Sequence, residues 1–292
     1  MIRRDFGRTG LQVSALGLGA GQIGQDFVTD RLAAEVIDVA LDAGITLIDT
    51  ARGYGTSEEH LGALLGPRRD RVVLSTKGGY GIDGVDDWTP QAVRRGVDES
   101  LARLRTDHID IYHLHSCPMS PTQRDDLIAV LHEARDAGKV LVPAYSGDNA
   151  DLVAAIASHG FGSIETSVNL ADQWSLHHAI MDAVSLGLGV IAKRPAANNV
   201  WRHGERPVGV YGETYWRRLR ELAYEVDLAP DEFALRFAAF APGVSSAIVG
   251  SANPEHVRHN AEIVGRGPLP SDVLLHVDQR WRDVGSDWPG EV

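Results

Sequence analysis

The sequence predicts an α/β fold: a (β/α)8 TIM barrel with an N-terminal β-hairpin and an extra C-terminal helix. Eight apolar segments of four to six residues recur along the 292-residue chain, and strands of this kind are buried on both faces in parallel sheets. Amphipathic segments of helical length separate them in one uninterrupted series, which is typical of a parallel barrel. Because no linker or low-complexity stretch divides the series, we expect residues 1–292 to form a single domain.

A hairpin and eight strands are predicted in order along the chain. Residues 6–13 contain Gly7 and Gly10 and are expected to form a hairpin that plugs the bottom of the barrel. The barrel strands are expected at residues 14–19, 45–49, 71–76, 109–114, 140–145, 163–168, 189–193 and 246–250. The helices are expected at residues 30–43, 57–65, 90–105, 121–137, 150–159, 172–186, 212–240, 254–265 and 271–283. The long segment 212–240 should break at Pro230.

Several helix ends are marked by residues whose chemistry suits those positions. Thr89-Pro90, Ser120-Pro121 and Asn253-Pro254 each place a capping side chain before a first-turn proline. Gly44 and Gly138 follow the predicted helices 30–43 and 121–137, where glycine relieves the strain of a left-handed helix end.

Charge and cysteine content exclude several classes of protein. The net charge of −12 argues against nucleic acid or an anionic membrane as a partner, because both favour basic surfaces. Cys117 is the only cysteine, so no intrachain disulfide can form. We find no signal peptide and no apolar run long enough for a membrane span. We therefore expect a cytoplasmic protein, a monomer or weak homo-oligomer, that acts on a small molecule.

One motif points to a different fold and has to be weighed. Residues 19–24 spell Gly-Ala-Gly-Gln-Ile-Gly, the dinucleotide-binding fingerprint of Rossmann domains. That motif works when a helix begins at once, so that the helix N-terminus meets the pyrophosphate. Here residues 25–28 intervene before the capped helix near Thr29, and eight strands exceed the six of the Rossmann sheet. The barrel is therefore the preferred interpretation.

Four titratable side chains are predicted at the carboxyl ends of neighbouring strands. Asp49 ends the second strand and Tyr54 follows it, while Lys77 and His115 follow the third and fourth strands. Reduction of a carbonyl group needs a hydride donor, a proton donor and a dipole that polarises the oxygen. An ammonium group lowers the pKa of a nearby phenol, so Lys77, held by Asp49, is expected to tune Tyr54 as the proton donor. A neutral His115 can orient the substrate oxygen.

Longer stretches of sequence surround these four residues. Residues 48–58 read Ile-Asp-Thr-Ala-Arg-Gly-Tyr-Gly-Thr-Ser-Glu, and residues 248–260 read Ile-Val-Gly-Ser-Ala-Asn-Pro-Glu-His-Val-Arg-His-Asn. Together with residues 7–14, 100–112 and 193–197, they resemble the aldo-keto reductase superfamily over nearly the whole chain. The resemblance implies hydride transfer between C4 of a nicotinamide and a carbonyl or alcohol carbon of an aldehyde, ketone or sugar. It also implies that Tyr54 is the general acid or base.

The resemblance further implies where the cofactor, NADP or NAD, binds without a Rossmann domain. Ser146 and Glu165 would hold the carboxamide, and Asn260 would reach the adenine. The implied cofactor-binding residues are Ala20, Gly21, Asp49, Ser146, Glu165, Lys193, Arg194, Gly250, Ser251, Asn253, His256 and Asn260. NADPH is favoured by the resemblance, but Gly250 and His256 replace the lysine and arginine of many NADPH-binding members.

Two departures from the family pattern, Glu165 and Lys193, end neighbouring strands. Glu165 replaces a usual glutamine, and Lys193 replaces an aromatic residue that stacks on the nicotinamide in many members. We expect an ion pair between them. On the substrate side, Tyr54 and His115 would contact the carbonyl, and Trp88 and Trp201 are candidate walls of an apolar pocket, with Tyr80 a weaker candidate. The long loop 196–212 is a candidate lid or cofactor strap.

Two functional alternatives remain open at the level of sequence. The first is a regulatory or interaction protein that binds a nicotinamide on the same barrel, since several cofactor positions are altered. The second is a barrel metallohydrolase, because His113 and His115 lie two apart on one strand and point the same way. The other strand ends offer few further ligands, so we expect no metal.

Overall fold

The computed structural model describes residues 1–119 and 121–291 and contains the predicted barrel. A hairpin of two antiparallel strands, β1 and β2, precedes eight parallel strands, β3 to β10, that close into a cylinder. The strands are β1 (Arg3–Asp5), β2 (Gln12–Ser14), β3 (Leu16–Gly19), β4 (Leu47–Asp49), β5 (Val73–Gly78), β6 (Ile109–His115), β7 (Val140–Ser146), β8 (Ser163–Ser167), β9 (Gly189–Lys193) and β10 (Ser246–Gly250). Strand β10 pairs with both β9 and β3, which closes the sheet. The predicted fold class is confirmed.

Helices cover the outside of the barrel between successive strands. They are α1 (Asp30–Asp42), α2 (Ser57–Leu64), α3 (Pro90–Leu104), α4 (Pro121–Asp136), α5 (Asn149–Ala157), α6 (Trp174–His178), α7 (Ile180–Ser185), α8 (Glu213–Leu222), α9 (Pro230–Ala239), α10 (Pro254–Gly265) and α11 (Ser271–Arg280). Short 3-10 helices cover Ala20–Gly24, Gly66–Arg71 and Ala197–Arg202, and a π turn follows at Trp281–Gly285. Within the described residues, no helix is both long and apolar enough to span a bilayer.

The predicted helix caps at Thr89 and Asn253 are present. The side chain of Thr89 accepts a hydrogen bond from the backbone of Ala92 at 3.2 Å, and that of Asn253 accepts one from Glu255 at 2.9 Å. The predicted cap at Ser120 lies outside the described residues.

Three predicted element boundaries were wrong. The segment expected as one helix at 172–186 forms α6 and α7, which are separated at Ala179. The helix expected at 212–240 stops well before Pro230, because Ala223 adopts a left-handed conformation with φ +45° and ends α8. The last helix is regular only to Arg280 and continues as the π turn.

The N-terminal hairpin closes the bottom of the barrel, as predicted. Phe6 is fully buried and packs with Leu47, Ile111 and Ile191, which lie on three different barrel strands. Gly189 gives this ring its space, because a Cβ atom at that position would lie 2.6 Å from it. The plugged bottom leaves the carboxyl ends of the strands as the open end of the barrel, where sites in this fold are found.

Candidate active site

Three of the four predicted catalytic residues end neighbouring strands, and the fourth lies in the loop that follows β4. Asp49 is the last residue of β4, Lys77 is near the end of β5, and His115 is the last residue of β6. Tyr54 lies in the β4–α2 loop, with its ring centroid 5.5 Å from Nζ of Lys77 and 5.9 Å from the ring of His115. The structure therefore brings the four side chains together.

Two glycines hold the loop that carries Tyr54. Gly55 has φ +54°, and a Cβ atom there would lie 2.0 Å from the carbonyl oxygen of Gly24. A Cβ atom at Gly24 would in turn lie 1.9 Å from the carbonyl oxygen of Tyr54. The hydroxyl of Ser57 donates to the carbonyl of Ala20 at 2.8 Å, which ties the start of α2 to the same place. The supposed dinucleotide motif at 19–24 thus forms a short 3-10 helix that packs against the Tyr54 loop.

Lys77 is buried between two carboxylates. Its Nζ donates a hydrogen bond to Asp49 Oδ2 and another to the carbonyl oxygen of Thr50 at 3.0 Å, and it lies 3.2 Å from Glu165 Oε2. The hydroxyl of Ser75 donates to the other oxygen of Asp49 at 2.7 Å. Burial alone would lower the pKa of Lys77, but the charges of Asp49 and Glu165 outweigh it and raise the pKa. The side chain therefore remains an ammonium.

The expected lowering of the Tyr54 pKa was wrong. Lys77 does pull this pKa down, but burial and the charges of Asp49 and Glu165 together outweigh it and raise the pKa to about 12. Asp49, Tyr54, Lys77 and His115 form a tetrad of predicted catalytic residues, and the carboxylate of Glu165 contributes a charge from outside this tetrad. Tyr54 is therefore a neutral phenol at neutral pH.

His115 is neutral and has a defined hydrogen-bond partner. Burial, helped by the charge of Lys77, lowers its pKa to about 3. Its Nδ1 lies 3.0 Å from the hydroxyl of Tyr80, and burial raises the pKa of that phenol. Because an imidazole nitrogen accepts more strongly than a phenol oxygen, Tyr80 is the donor and the ring proton of His115 is on Nε2. That Nε2–H is free to donate a hydrogen bond into the site.

His113 points into the barrel interior instead. Its Nε2 lies 3.2 Å from the hydroxyl of Ser75 and 3.9 Å from Glu165 Oε2, and burial lowers its pKa to about 4. Nitrogen and oxygen atoms of Asp49, His113 and Glu165 lie within 4.8 Å of one another. The ammonium of Lys77 contacts both carboxylates of this group, so it supplies the positive charge that a metal ion would otherwise provide. The metallohydrolase alternative gains no support from this arrangement.

A cavity of about 840 Å³ opens beside these residues and runs toward the start of α10. Most of the predicted cofactor and catalytic residues line it. They are Gly21, Asp49, Tyr54, His115, Ser146, Glu165, Lys193, Arg194, Gly250, Ser251, His256 and Asn260.

Six predicted residues do not line this cavity, and one of them is the weaker candidate Tyr80. Ala20 and Lys77 are buried behind the wall, and Asn253 acts as the cap of α10. Trp88 packs against the ring of Tyr80 with centroids 5.4 Å apart. Trp201 packs against the buried cluster of Val200 and Tyr215. The structure therefore does not place either tryptophan on the cavity wall.

The expected ion pair between Glu165 and Lys193 is not formed. Lys193 Nζ lies 2.9 Å from Asp148 Oδ2, and Glu165 pairs with Lys77 instead. Asp148 also accepts hydrogen bonds from the hydroxyl of Thr166 and the backbone of Ser167. Sequence reasoning missed Asp148, although its position two residues beyond β7 and just before α5 marks it as a strand-end carboxylate.

The loop expected to act as a lid or strap contributes one wall of the cavity. Asn198 and Asn199 both have φ +56° and line the cavity, together with Tyr211. The guanidinium of Arg194 lies over the ring of Tyr211, 5.3 Å from its centroid. Arg202 of the same loop also lines the cavity. Outside this loop, Gln22, Gln25, Ser116, Asp231, Leu235 and His259 line the cavity but were not predicted. Gln22 and His259 lie in stretches that the sequence analysis singled out, but neither side chain was assigned a role.

The residues along this cavity fit a nicotinamide dinucleotide. Glu165 lines the cavity, and its Oε2 makes an ion pair with Lys77 at 3.2 Å but no hydrogen bond among the described residues. A carboxylate oxygen in that position can still accept from a carboxamide NH₂. Ser146 donates to the other oxygen of Glu165 at 3.4 Å and lies on the same wall. The far end of the cavity reaches Asn260 and His256 on α10. The cavity therefore spans from the tetrad to a helix N-terminus with polar groups along it.

Comparisons with known proteins agree with this geometry. The model of the aldo/keto reductase family matches residues 15–282. An uncharacterized oxidoreductase, YqkF, from Bacillus subtilis is 27% identical over 94% of this chain and 94% of its own length. The L-galactose dehydrogenase of Arabidopsis thaliana is 27% identical over 89% of this chain and 87% of its own length. Among solved structures, the aldo-keto reductase AKR11C1 from Bacillus halodurans is similar, with a TM-score of 0.85, 25% identity and 96% of both chains covered.

Proposed function

Because this chain belongs to the aldo/keto reductase family and is an NAD(P)-dependent oxidoreductase, we propose that it transfers a hydride between nicotinamide C4 and the carbonyl or alcohol carbon of an aldehyde, ketone or sugar. The observation that supports this proposal most is the cluster of Asp49, Tyr54, Lys77 and His115 at the open end of the barrel. The cavity beside the cluster is large enough to hold more than a small substrate.

Each residue of the cluster has a defined part in this proposal. Tyr54 is half-buried and lines the cavity, so its hydroxyl can pass a proton to the oxygen of a substrate in the cavity. The Nε2–H of His115 donates a hydrogen bond to the same oxygen and fixes its direction. Lys77 and Asp49 are buried behind Tyr54 and set the charge around the phenol.

The same cavity is proposed to hold the cofactor. A bound nicotinamide supplies or accepts the hydride at C4. In this proposal Ser146 and Glu165 hold its carboxamide, and the adenosine half lies toward α10, where Ser251, His256 and Asn260 line the cavity. Arg258 lies on α10 between His256 and Asn260, and its guanidinium is 2.5 Å from Oε1 of Glu255. Its charge is therefore partly compensated and offers less to a 2′-phosphate.

Names of relatives support a polar carbonyl or sugar as the substrate class. Besides the L-galactose dehydrogenase, a D-threo-aldose 1-dehydrogenase from Pseudomonas is 28% identical over 87% of this chain and 90% of its own length. Both names refer to sugars. The amide and guanidinium groups of Asn198, Asn199 and Arg202 on the cavity wall give such substrates polar partners.

The variant Tyr54→Phe tests the proposal. It removes the proposed proton donor and keeps the ring, so we expect kcat to fall by about 10²–10⁴-fold, the contribution of a general acid, while the Kd of the cofactor stays near the wild-type value. A panel of aldehydes, ketones and sugars with NADH and NADPH supplies the substrate. Tyr224→Phe is a matched control, because the Tyr224 hydroxyl binds the carbonyl of Leu170 outside the cavity. An unchanged kcat in Tyr54→Phe would refute the role of Tyr54.

A further inference from the structure

Glu165 brings a second carboxylate to the ammonium that Asp49 already binds. Glu165 Oε2 lies 3.2 Å from Lys77 Nζ, and no more than 3% of any of the three side chains is exposed. The carbonyl oxygen of Thr50 accepts a further hydrogen bond from Nζ at 3.0 Å. In the part of the chain that the structure describes, no hydrogen bond joins Nζ to the hydroxyl of Tyr54. The direct contacts of Lys77 Nζ are thus with the two carboxylates and the Thr50 carbonyl, and its charge acts on Tyr54 without a hydrogen bond to the phenol.

The charges around Tyr54 do not balance in favour of a phenolate. The groups that face it are Lys77 on β5, Asp49 on β4, Glu165 on β8, His115 on β6 and Tyr80 in the β5–α3 loop. His115 is neutral, so one ammonium stands against two carboxylates in a buried cluster. A phenolate would add a third negative charge, which like-charge repulsion and burial both disfavour.

The titration behaviour of the cluster agrees with this geometry. Burial and the charge of Glu165 raise the pKa of Asp49 above its usual range, against the opposing effect of Lys77. Burial would raise the pKa of Glu165 as well, but the charge of Lys77 outweighs it and lowers that pKa, so the two coupled carboxylates titrate unequally and Asp49 is the one that holds a proton more readily. At Tyr54 the charge of Lys77 lowers the pKa, but burial and the charges of Asp49 and Glu165 together outweigh it and raise the pKa.

We propose that Glu165, by sharing the charge of Lys77, keeps the hydroxyl of Tyr54 protonated in the resting enzyme, so that the site is set to donate a proton to a carbonyl oxygen and accepts one from an alcohol only at alkaline pH. This inference rests on the proposed role of Tyr54. In carbonyl reduction the O–H bond of Tyr54 breaks and its proton goes to the substrate oxygen, while the carbonyl carbon receives the hydride. In alcohol oxidation Tyr54 must first lose its proton to solvent. Glu165 is a positioning residue in this scheme, since it acts through Lys77.

The variant Glu165→Gln tests the proposal, because it removes the charge and keeps the size of the side chain. With the competing carboxylate gone, Lys77 should stabilise the phenolate more strongly. We expect the alkaline rise of kcat/KM for alcohol oxidation, measured at saturating cofactor, to move to lower pH by about 1 unit. Glu133→Gln is the matched control, because it removes a carboxylate that pairs with Arg94 outside the cavity and should leave the rise at its wild-type position.

A second measurement does not depend on activity or on a bound cofactor. The ultraviolet absorbance of phenolate, followed against pH, reports Tyr54 when the curve of the matching Tyr54→Phe variant is subtracted. We expect Tyr54 to titrate at lower pH in Glu165→Gln than in the wild type. Coincident titrations of the two proteins would overturn the proposal even if Glu165→Gln had lost cofactor binding. If Tyr54→Phe is inactive and Tyr54 titrates at the same pH in Glu165→Gln as in the wild type, only the proposed role of Glu165 is wrong. If Tyr54→Phe keeps the wild-type kcat, the proposed function itself is wrong.

Discussion

Replacing Tyr80 by phenylalanine removes one hydroxyl from the site and leaves its packing in place. That hydroxyl lies 3.0 Å from Nδ1 of His115, and the ring packs against Trp88. Without the donor, Nδ1 loses the partner that keeps the ring proton on Nε2. A fraction of His115 can then carry its proton on Nδ1, and that form cannot donate a hydrogen bond to the substrate oxygen. We therefore expect Tyr80→Phe to fold normally and to reduce carbonyls more slowly.

The size of the effect follows from the hydrogen bond that is lost. A hydrogen bond between neutral groups contributes about 0.5–1.5 kcal/mol, and 1.36 kcal/mol is a factor of ten in rate, so kcat/KM should fall about 2- to 13-fold. The loss should be much smaller than in Tyr54→Phe, because Tyr80 does not exchange a proton with the substrate.

A double-mutant cycle with His115→Ala separates this role from a structural one. If Tyr80 acts only through His115, then Tyr80→Phe should have little further effect once His115 is alanine. Nitrogen NMR of labelled histidine gives an independent measure, because Nδ1 of His115 should report as an acceptor in the wild type and change in Tyr80→Phe. Wild-type kcat/KM in Tyr80→Phe, or an equal loss in both backgrounds, would refute the reasoning.

Two further predictions concern the cofactor and the fold. Since Gly250 and His256 line the cavity at the end proposed for the adenosine half, and Arg258 is paired with Glu255, we expect NADH and NADPH to quench the protein fluorescence with similar Kd values. A large preference for NADPH would show that another cation binds the 2′-phosphate. Phe6→Ala should lower the free energy of unfolding in denaturant by about 3–5 kcal/mol, as for other buried aromatic residues, whereas Phe27→Ala, at a side chain that is 72% exposed, should change it by less than about 0.5 kcal/mol. Equal losses of unfolding free energy in the two variants would contradict the role of Phe6 in closing the bottom of the barrel.

The barrel could be predicted because its signal is repeated and local. Each strand is an apolar run of nearly fixed length, and each is followed by an amphipathic segment, so errors at single boundaries do not alter the count. The breaks within 172–186 and 212–240 could not be predicted in the same way. Ala223 ends α8 with φ +45°, a conformation that alanine rarely adopts and that no side chain in the local sequence announces.

The positions of the site residues were predictable, but their electrostatic partners were not. Position follows from topology, since the ends of parallel strands meet at one edge and Asp49, Lys77 and His115 each lie at such an end. Which charged groups form ion pairs depends on how far each side chain extends across the barrel, and the order of the strands does not determine this. Glu165 and Lys193 end adjacent strands, yet each is closer to a third residue, Lys77 and Asp148 respectively.

The state of Tyr54 shows why this difference matters for chemistry. The sequence places a lysine beside a tyrosine, and this single interaction predicts a lowered pKa for the tyrosine hydroxyl. In the folded chain the same lysine is shared with two carboxylates, and all three side chains are buried, where charges interact more strongly than in water. The sign of the pKa shift therefore depends on the sum of charges and not on the nearest one. A single change of Glu165 to the neutral amide alters that sum while every residue of the tetrad stays in place, so the tetrad alone does not determine the pH at which this site donates or accepts a proton.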